Sequence, residues 1–216
     1  MRYALSFSGG KDSTLALDRA IRQGLDIARL FNIYEGVSGR VRFHGTRAPL
    51  IAAQASSLGI PLVQDFTHPD AYEAVFLRTL DRLRAEGIDG IVFGNIHLAD
   101  IRAWYEERVT TRGFEHVDPL WGDAPSDLVR EFVDRGYEAR LVSIDLARTP
   151  RHWLGRWVDA SFLTDLAAHP EIDPCGERGE YHTFVEGGPI FRQPIAVETG
   201  SEVEMEGHAL LEMTVS

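Results

Sequence analysis

The sequence predicts an α/β protein, a doubly wound parallel sheet followed by a smaller mixed α+β C-terminal region. Three observations carry this reading. Strand-like and helix-like segments alternate through the first half, the pattern of parallel βαβ units with right-handed crossovers. The helical segments stop at Gly24, Gly59, Gly87 and Gly113, where a left-handed residue ends a helix most cheaply. From Glu180 onward, short β-type runs are punctuated by Gly187-Gly188, Thr199-Gly200 and Glu206-Gly207, as in antiparallel hairpins.

Taken in order, apolar β-type runs predict strands at 3–7, 27–34, 62–65 and 90–93. Between and after them, helical periodicity predicts helices at 13–23, carrying apolar Leu17, Ala20 and Ile21, and at 48–58, 70–86 and 98–112. The pattern then changes. Asp118-Pro119-Leu120-Trp121-Gly122 reads as a turn, 127–135 as a helix ending at Gly136, 139–144 as a strand and 161–169 as a helix. Strands at 181–185, 194–198, 202–205 and 210–215 complete the chain. The change sets a boundary near residue 117, giving domains 1–117 and 118–216. Trp153, Trp157 and Phe162 are expected in the core, because helical spacing accounts for the two tryptophans.

Composition narrows the partners. With 216 residues, 44% of them apolar and 25% charged, the chain can bury a substantial core. A formal net charge of −11 disfavours sequence-independent attraction to nucleic acid or an anionic membrane. No apolar run approaches the roughly 18 residues of a membrane span, and Met1-Arg2-Tyr3 leads straight into a strand rather than a signal segment. A single cysteine, Cys175, excludes an internal disulfide and fits a reducing, cytoplasmic setting.

Ser8-Gly9-Gly10-Lys11-Asp12-Ser13 stands between the first strand and the first helix. Two glycines allow a sharp turn with main-chain N–H groups close to phosphate oxygens, and the helix start adds donors and positive dipole character. The spacing GxxxxGK[ST] is absent, since Leu5 holds the first glycine position and Asp12 follows Lys11. The order SGGKDS instead resembles the pyrophosphate-binding loop of the N-type ATP pyrophosphatases, whose fold is Rossmann-like, of the adenine nucleotide alpha hydrolase type. That resemblance implies ATP cleaved between its α- and β-phosphates. Main-chain N–H groups of Gly9, Gly10 and Lys11, the hydroxyls of Ser8 and Ser13 and the Lys11 ammonium would hold pyrophosphate. Mg²⁺ would be held by phosphates and water, with Asp12 as the one protein carboxylate; Asp12 fits equally well as a helix cap. Ligands of open parallel sheets lie beyond the strands' carboxyl ends, which adds the loops 34–47 and Gly94-Asn95-Ile96-His97, with His44, His97, Gly94 and Asn95 as contacts.

Several separated motifs agree on a closer resemblance. The loop 8–13, Arg42-Phe43-His44, Phe93-Gly94-Asn95-Ile96 with Arg102-x-Trp104-x-Glu106, Pro119-Leu120-Trp121, and Gly176-Glu177-x-Gly179-Glu180-Tyr181-His182-Thr183 together resemble the diphthine–ammonia ligase family. The resemblance implies adenylation of the diphthine carboxylate of elongation factor 2, attack by ammonia, and release of AMP and pyrophosphate. It makes 1–117 the nucleotide-binding domain and 118–216 the acceptor-binding domain. Lys11, Arg102, Glu177 and Glu180 become the catalytic candidates: Arg102 pairs with a phosphate or carboxylate and is held by Glu106 one helical turn on, while Glu177 and Glu180 face the acceptor or ammonium. The family usually has Gly-Asp-Ile where this chain has Gly94-Asn95-Ile96. The chain has no segment for a separate glutaminase domain, so free ammonia is the expected donor. Zinc is disfavoured because Cys175, Glu177, Glu180 and His182 lack a second cysteine or histidine at ligand spacing, and Cys175 has no evident base for nucleophilic work. Two other readings stay open: an adenylating enzyme with a different acceptor, and a non-catalytic adenine-nucleotide-binding module. A homo-oligomer is compatible with all three.

Overall fold

The computed structural model describes residues 1–36, 39–41 and 46–216. By proximity the chain forms two compact units that do not follow chain order. The first comprises Met1–Ser8, Asp12–Arg42 and Ile60–Asp123; the second comprises Gly9–Lys11, Phe43–Gly59 and Ala124–Ser216.

In the first unit, β1 (Arg2–Ser6), β2 (Asp26–Glu35), β4 (Leu62–Thr67), β5 (Gly90–Val92) and β6 (Glu115–Val117) form a parallel sheet. β1 lies between β2 and β5, β4 flanks β2 and β6 flanks β5. β3 (Arg40–Val41) pairs antiparallel with the end of β2. The chain thus runs outward from β1 on one side and returns to its other side at β5, so strand order reverses at β1. α1 (Lys11–Arg22), α3 (Tyr72–Ala85) and α4 (Ala99–Thr110) connect these strands. The doubly wound expectation holds. β3 and β6 are additions, and β6 had no apolar signal because its residues are Glu115, His116 and Val117.

The central strands carry the sheet's continuous apolar runs, β5 being buried throughout and β1 at Tyr3–Leu5, as expected for parallel strands packed under helices. Ala4, Phe31, Ile33, Val63, Ile91 and Phe93 pack with Val75, Phe76, Leu80 and Leu83 of α3 and with Val109 of α4. Phe76 is fully buried at the centre of an aromatic group, with ring centroids 5.4 Å from Tyr105, 5.6 Å from Trp104 and 6.3 Å from Phe31.

The second unit holds an antiparallel sheet in the order β8 (Tyr181–Gly187), β7 (Glu138–Asp145), β10 (His208–Val215), β9 (Val197–Met205). Leu50 of α2 (Ala48–Leu58) packs with Val142, Phe184 and Met213 of this sheet. α5 (Pro125–Asp134) and α6 (Ala160–Ala167) complete the unit. Trp153 and Phe162 are buried as expected, edge to face at 5.0 Å. Trp157 is not: it is 39% exposed, with the Arg140 guanidinium 4.0 Å from its ring centre. β9 is one continuous strand through Thr199-Gly200, because its pairing with β10 carries the backbone across the glycine.

Truncating Phe76 to Ala removes an aromatic ring that the neighbouring rings cannot collapse to fill. Phe76→Ala is expected to lose about 3–5 kcal/mol of stability, measurable as a lower urea midpoint; a loss under about 1 kcal/mol would show that this aromatic group is not the core of its unit.

Candidate active site

The 8–13 loop runs from β1 into α1, and the chain leaves the first unit at Gly9 and returns to it at Asp12. On the first-unit side, the Ser8 and Ser13 hydroxyls lie 3.1 Å apart and Asp12 stands in the first turn of α1, half-buried. Gly94, just past β5, approaches the same helix start. A Cβ at this position would sit 3.3 Å from the Asp12 carbonyl group and the Ser13 nitrogen, tighter than side chains ordinarily pack. The segment just past β5 therefore touches the loop's exit, which brings two of the three expected nucleotide loops together.

The residue after Gly94 opens a polar cluster. The Asn95 amide donates to Asp118 Oδ1 at 2.9 Å, and Arg102 Nε donates to Asp118 Oδ2 at 2.9 Å. His116 Nε2 lies 3.4 Å from the same Oδ2, and both side chains are 3% exposed. Arg102 is one-third exposed; its guanidinium lies 4.7 Å from the Trp121 ring centre and 3.6 Å from Glu106. Held by a buried carboxylate, an indole face and a second acid, Arg102 is an oriented cation whose rotamer entropy is already spent. The segment carrying Asp118 and Trp121 is itself anchored: Gly122 N–H donates to the Ile96 carbonyl at 2.9 Å, and Arg19 of α1 pairs with Asp123 at 2.5 Å and the Pro119 carbonyl at 3.0 Å. The Arg102–Glu106 pair anticipated from spacing is present, but Asp118 is the nearer partner, and neither it nor His116 was expected at the site. Asp118 reads as part of a turn, and Asn95 meets it across 23 positions of sequence, beyond any local pattern.

Gly9–Lys11 belongs to the second unit. Gly9 has φ 79°, and a Cβ there would meet Gln54 Oε1 at 2.3 Å and Ile51 at 2.4 Å. Left-handed backbone and lack of room both require glycine. The Gly9 carbonyl accepts from Val185 N–H at 3.0 Å and from Gln54 Nε2 at 2.9 Å. Lys11, expected to offer its main-chain N–H to phosphate, donates it to Thr183 Oγ1 at 3.0 Å. Its ammonium is buried, donates to the Cys175 carbonyl and lies 4.9 Å from the Tyr181 ring centre.

The segment 173–180 supplies that carbonyl. Glu180 is buried, and its carboxylate accepts from the N–H groups of Asp173 at 3.2 Å and Arg178 at 3.1 Å, with Arg148 at 3.8 Å. Glu180 thus closes its own loop, whereas Glu177 is partly exposed. Cys175 is buried, with its thiol against the Pro125 carbonyl. His97 is half-buried in the segment between β5 and α4, and His44 lies outside the described residues. Among the described residues no group of three or more His, Cys, Asp or Glu side chains is arranged to hold a metal. No helix among them is long and apolar enough to cross a membrane.

Family comparison now bears on this geometry. The model of the diphthamide synthase N-terminal domain matches residues 1–115, and that of the diphthamide synthase C-terminal domain matches 124–214. The chain belongs to the diphthamide synthase family. The diphthine–ammonia ligase of Rattus norvegicus is 29% identical over 94% of this chain and 85% of its own length, and that of Homo sapiens 27% identical over the same shares. A solved structure from Methanocaldococcus jannaschii, described as a predicted subunit of tRNA methyltransferase, covers 90% of this chain and 100% of its own, with a TM-score of 0.50 and 17% identity. At that identity the likeness concerns the fold alone.

Burial lowers the His116 pKa below the usual histidine value, and burial raises that of Asp118 against the opposing pull of His116, Arg102 and Asn95. Below about pH 6.5 the unfolded chain protonates this histidine while the folded protein resists, so stability is lost as pH falls, by at most about 1.4 kcal/mol per unit. Asp118 acts oppositely, holding its proton more tightly when folded and adding stability at lower pH. The unfolding midpoint is expected to fall between pH 7 and 5.5, and to fall less steeply in His116→Gln; equal slopes in the two proteins would refute the assignment.

Proposed function

We propose that the chain is an AMP-forming ligase that amidates a carboxylate with ammonia, the acceptor being diphthine on elongation factor 2. The observation that carries this reading is the match of both family halves to a chain whose 8–13 loop joins a parallel strand to a helix at the sheet's switch point. The relatives bearing the diphthine–ammonia ligase name are matched over most of their length. A carboxylate oxygen is a poor leaving group, so the acid is activated first. Its oxygen attacks the α-phosphorus of ATP, the bond to the bridging oxygen breaks and pyrophosphate departs. Ammonia then attacks the acyl carbon, AMP leaves, and the extra proton is lost to a base.

In this reading Ser8, Gly9, Gly10, Asp12 and Ser13 hold the phosphates, and Gly94 keeps the neighbouring strand end close enough to share them. Asn95 contributes through Asp118, and His44 is retained as a nucleotide contact. Lys11 and Arg102 bring cations to the departing pyrophosphate and the reacting carboxylate. Glu177 faces the acceptor or ammonium, and Glu180 sets the loop from which Glu177 projects. Mg²⁺ would travel with the phosphates, since the described residues offer Asp12 as a single carboxylate rather than a ligand cluster; when bound it neutralises phosphate charge. We assign nucleotide binding to 1–117 and acceptor binding to 118–216, supported by the break between the two family models. The compact units depart from this division, since Gly9–Lys11 and Phe43–Gly59 lie with the second unit and 118–123 with the first. A cytoplasmic setting fits the single buried thiol.

Incubation with ATP, ammonium and diphthine-bearing elongation factor 2 is expected to give AMP and pyrophosphate in step with amide, and glutamine is expected not to replace ammonium. ADP and orthophosphate as the main products, or turnover independent of the acceptor, would overturn the reading. Glu177→Gln is expected to cut turnover by about 10²- to 10⁴-fold with ATP affinity within about threefold of the parent; parallel losses in both would place Glu177 at the nucleotide instead.

A further inference from the structure

Arg102 stands beside two acids of unlike character. Asp118 is buried and accepts from Arg102 Nε at 2.9 Å, while its other oxygen accepts from the Asn95 amide at 2.9 Å. That carboxylate is built into the end of the sheet. Glu106, one turn along α4 from Arg102, has a side chain 43% exposed, and its Oε2 lies 3.6 Å from Arg102 Nη1. At that separation the contact is an ion pair without a hydrogen bond, and an exposed pair of this kind contributes little.

Geometry decides which part of Arg102 stays available. A guanidinium carries five N–H donors in one plane, one on Nε and two on each Nη. Nε is taken by Asp118, and the Trp121 ring centre lies 4.7 Å from the group. Among the described residues neither Nη nitrogen makes a hydrogen bond. The edge formed by Nη1 and Nη2 is therefore left, a fork that matches two oxygens of a carboxylate or a phosphate. It belongs to a cluster just beyond the carboxyl ends of β5 and β6, where ligands of open parallel sheets lie. Asn95 of that cluster follows Gly94, which meets the start of α1. Glu106 is the group that stands at the Nη edge.

We propose that Glu106 is a stand-in for the substrate's oxyanion, pairing with the Nη edge of Arg102 until a phosphate or carboxylate of the substrate displaces it, while Asp118 holds the guanidinium in place throughout. This rests on the functional reading above, in which Arg102 meets an anionic substrate. The two acids then act with opposite sign. Asp118 favours binding, because a fork fixed beforehand loses little freedom when the ligand arrives. Glu106 opposes binding, because its own attraction to Arg102 must be given up and its charge repels the incoming anion. Both are positioning residues: they act on the substrate through Arg102.

The test measures the dissociation constants of pyrophosphate and of diphthine-bearing elongation factor 2, each added alone to the wild type and three variants. Glu106→Gln is expected to tighten at least one of the two about 2- to 5-fold, the scale of an exposed ion pair. Tightening of pyrophosphate would make the nucleotide the source of the oxyanion, and tightening of the factor would make it the acceptor carboxylate; either supports the proposal, and general loss of structure would produce neither. Glu107→Gln removes the same charge from the next residue, which is exposed and paired with Arg108, and is expected to leave both constants unchanged. Asp118→Ala is expected to weaken the ligand that Glu106→Gln tightens by about 10- to 100-fold, the scale set by small misplacements of binding groups. Should that buried variant fold poorly, the contrast between Glu106→Gln and Glu107→Gln decides. Unchanged or weaker binding of both ligands in Glu106→Gln, equal tightening in Glu107→Gln, or wild-type affinity in a folded Asp118→Ala would overturn the proposal while leaving binding by the wild type intact. Failure of the wild type to bind both ligands would overturn the functional reading and this proposal together.

Discussion

The Gly9 carbonyl accepts from both the Val185 N–H and the Gln54 amide, and the form of the 9–11 segment follows from that double anchor. A glycine-rich loop gains close approach to a ligand at the cost of conformational freedom, since glycine has more to lose on ordering than any other residue. Hydrogen bonds from buried neighbours are the economical way to offset that loss. Here they come from a strand and a helix distant in sequence, and the Lys11 N–H is fixed by Thr183 as well. The loop's sequence makes the turn possible; residues about 45, 170 and 175 positions away select the one conformation.

Charge at the end of the parallel sheet is arranged by the same logic. Asp118 is a buried acid whose two oxygens are divided between Asn95 and Arg102, with His116 beside the second. An ion pair in such a place contributes little net stability, because desolvation cancels much of the attraction. What it provides is orientation. Arg102 keeps a third of its surface in solvent while one edge is tied to Asp118 and its face lies near Trp121, so the direction of its guanidinium is set.

Fold was legible in the sequence where burial and periodicity coincide. The central strands β1 and β5 are apolar where they are buried, and α1 to α4 end near glycines because a left-handed residue closes them. What stayed hidden depended on pairing rather than composition. β6 is a strand only because Glu115, His116 and Val117 align with β5, and β9 crosses Thr199-Gly200 because β10 holds it. At the candidate site, Ser8 to Ser13 and Gly94 were readable as turn and close-approach residues, since glycine and phosphate chemistry leave local marks. The partners of those residues were not. Gln54 carried a signal that could have been used, a polar side chain on the apolar stripe Leu50, Ile51, Ala55, Leu58. For Glu180 the charge density of its loop suggested a group facing substrate, and the structure adds what the sequence could not show, that its carboxylate accepts from the N–H groups of Asp173 and Arg178.

Asn95 draws these strands together. Family resemblance places an acid at this position, and its loss looks at first like a missing carboxylate at the ligand edge. The geometry gives the amide a positive function. Its N–H lies 2.9 Å from an oxygen of Asp118, so a carboxylate at 95 would face a second carboxylate at hydrogen-bond distance, and such a pair must share a proton. One of the two would then be neutral, and the hold on Arg102 would weaken. With asparagine, one Asp118 oxygen accepts from an amide and the other from Arg102, so both are satisfied. The carboxylate that pairs with Arg102 at this end of the sheet is that of Asp118, one strand over.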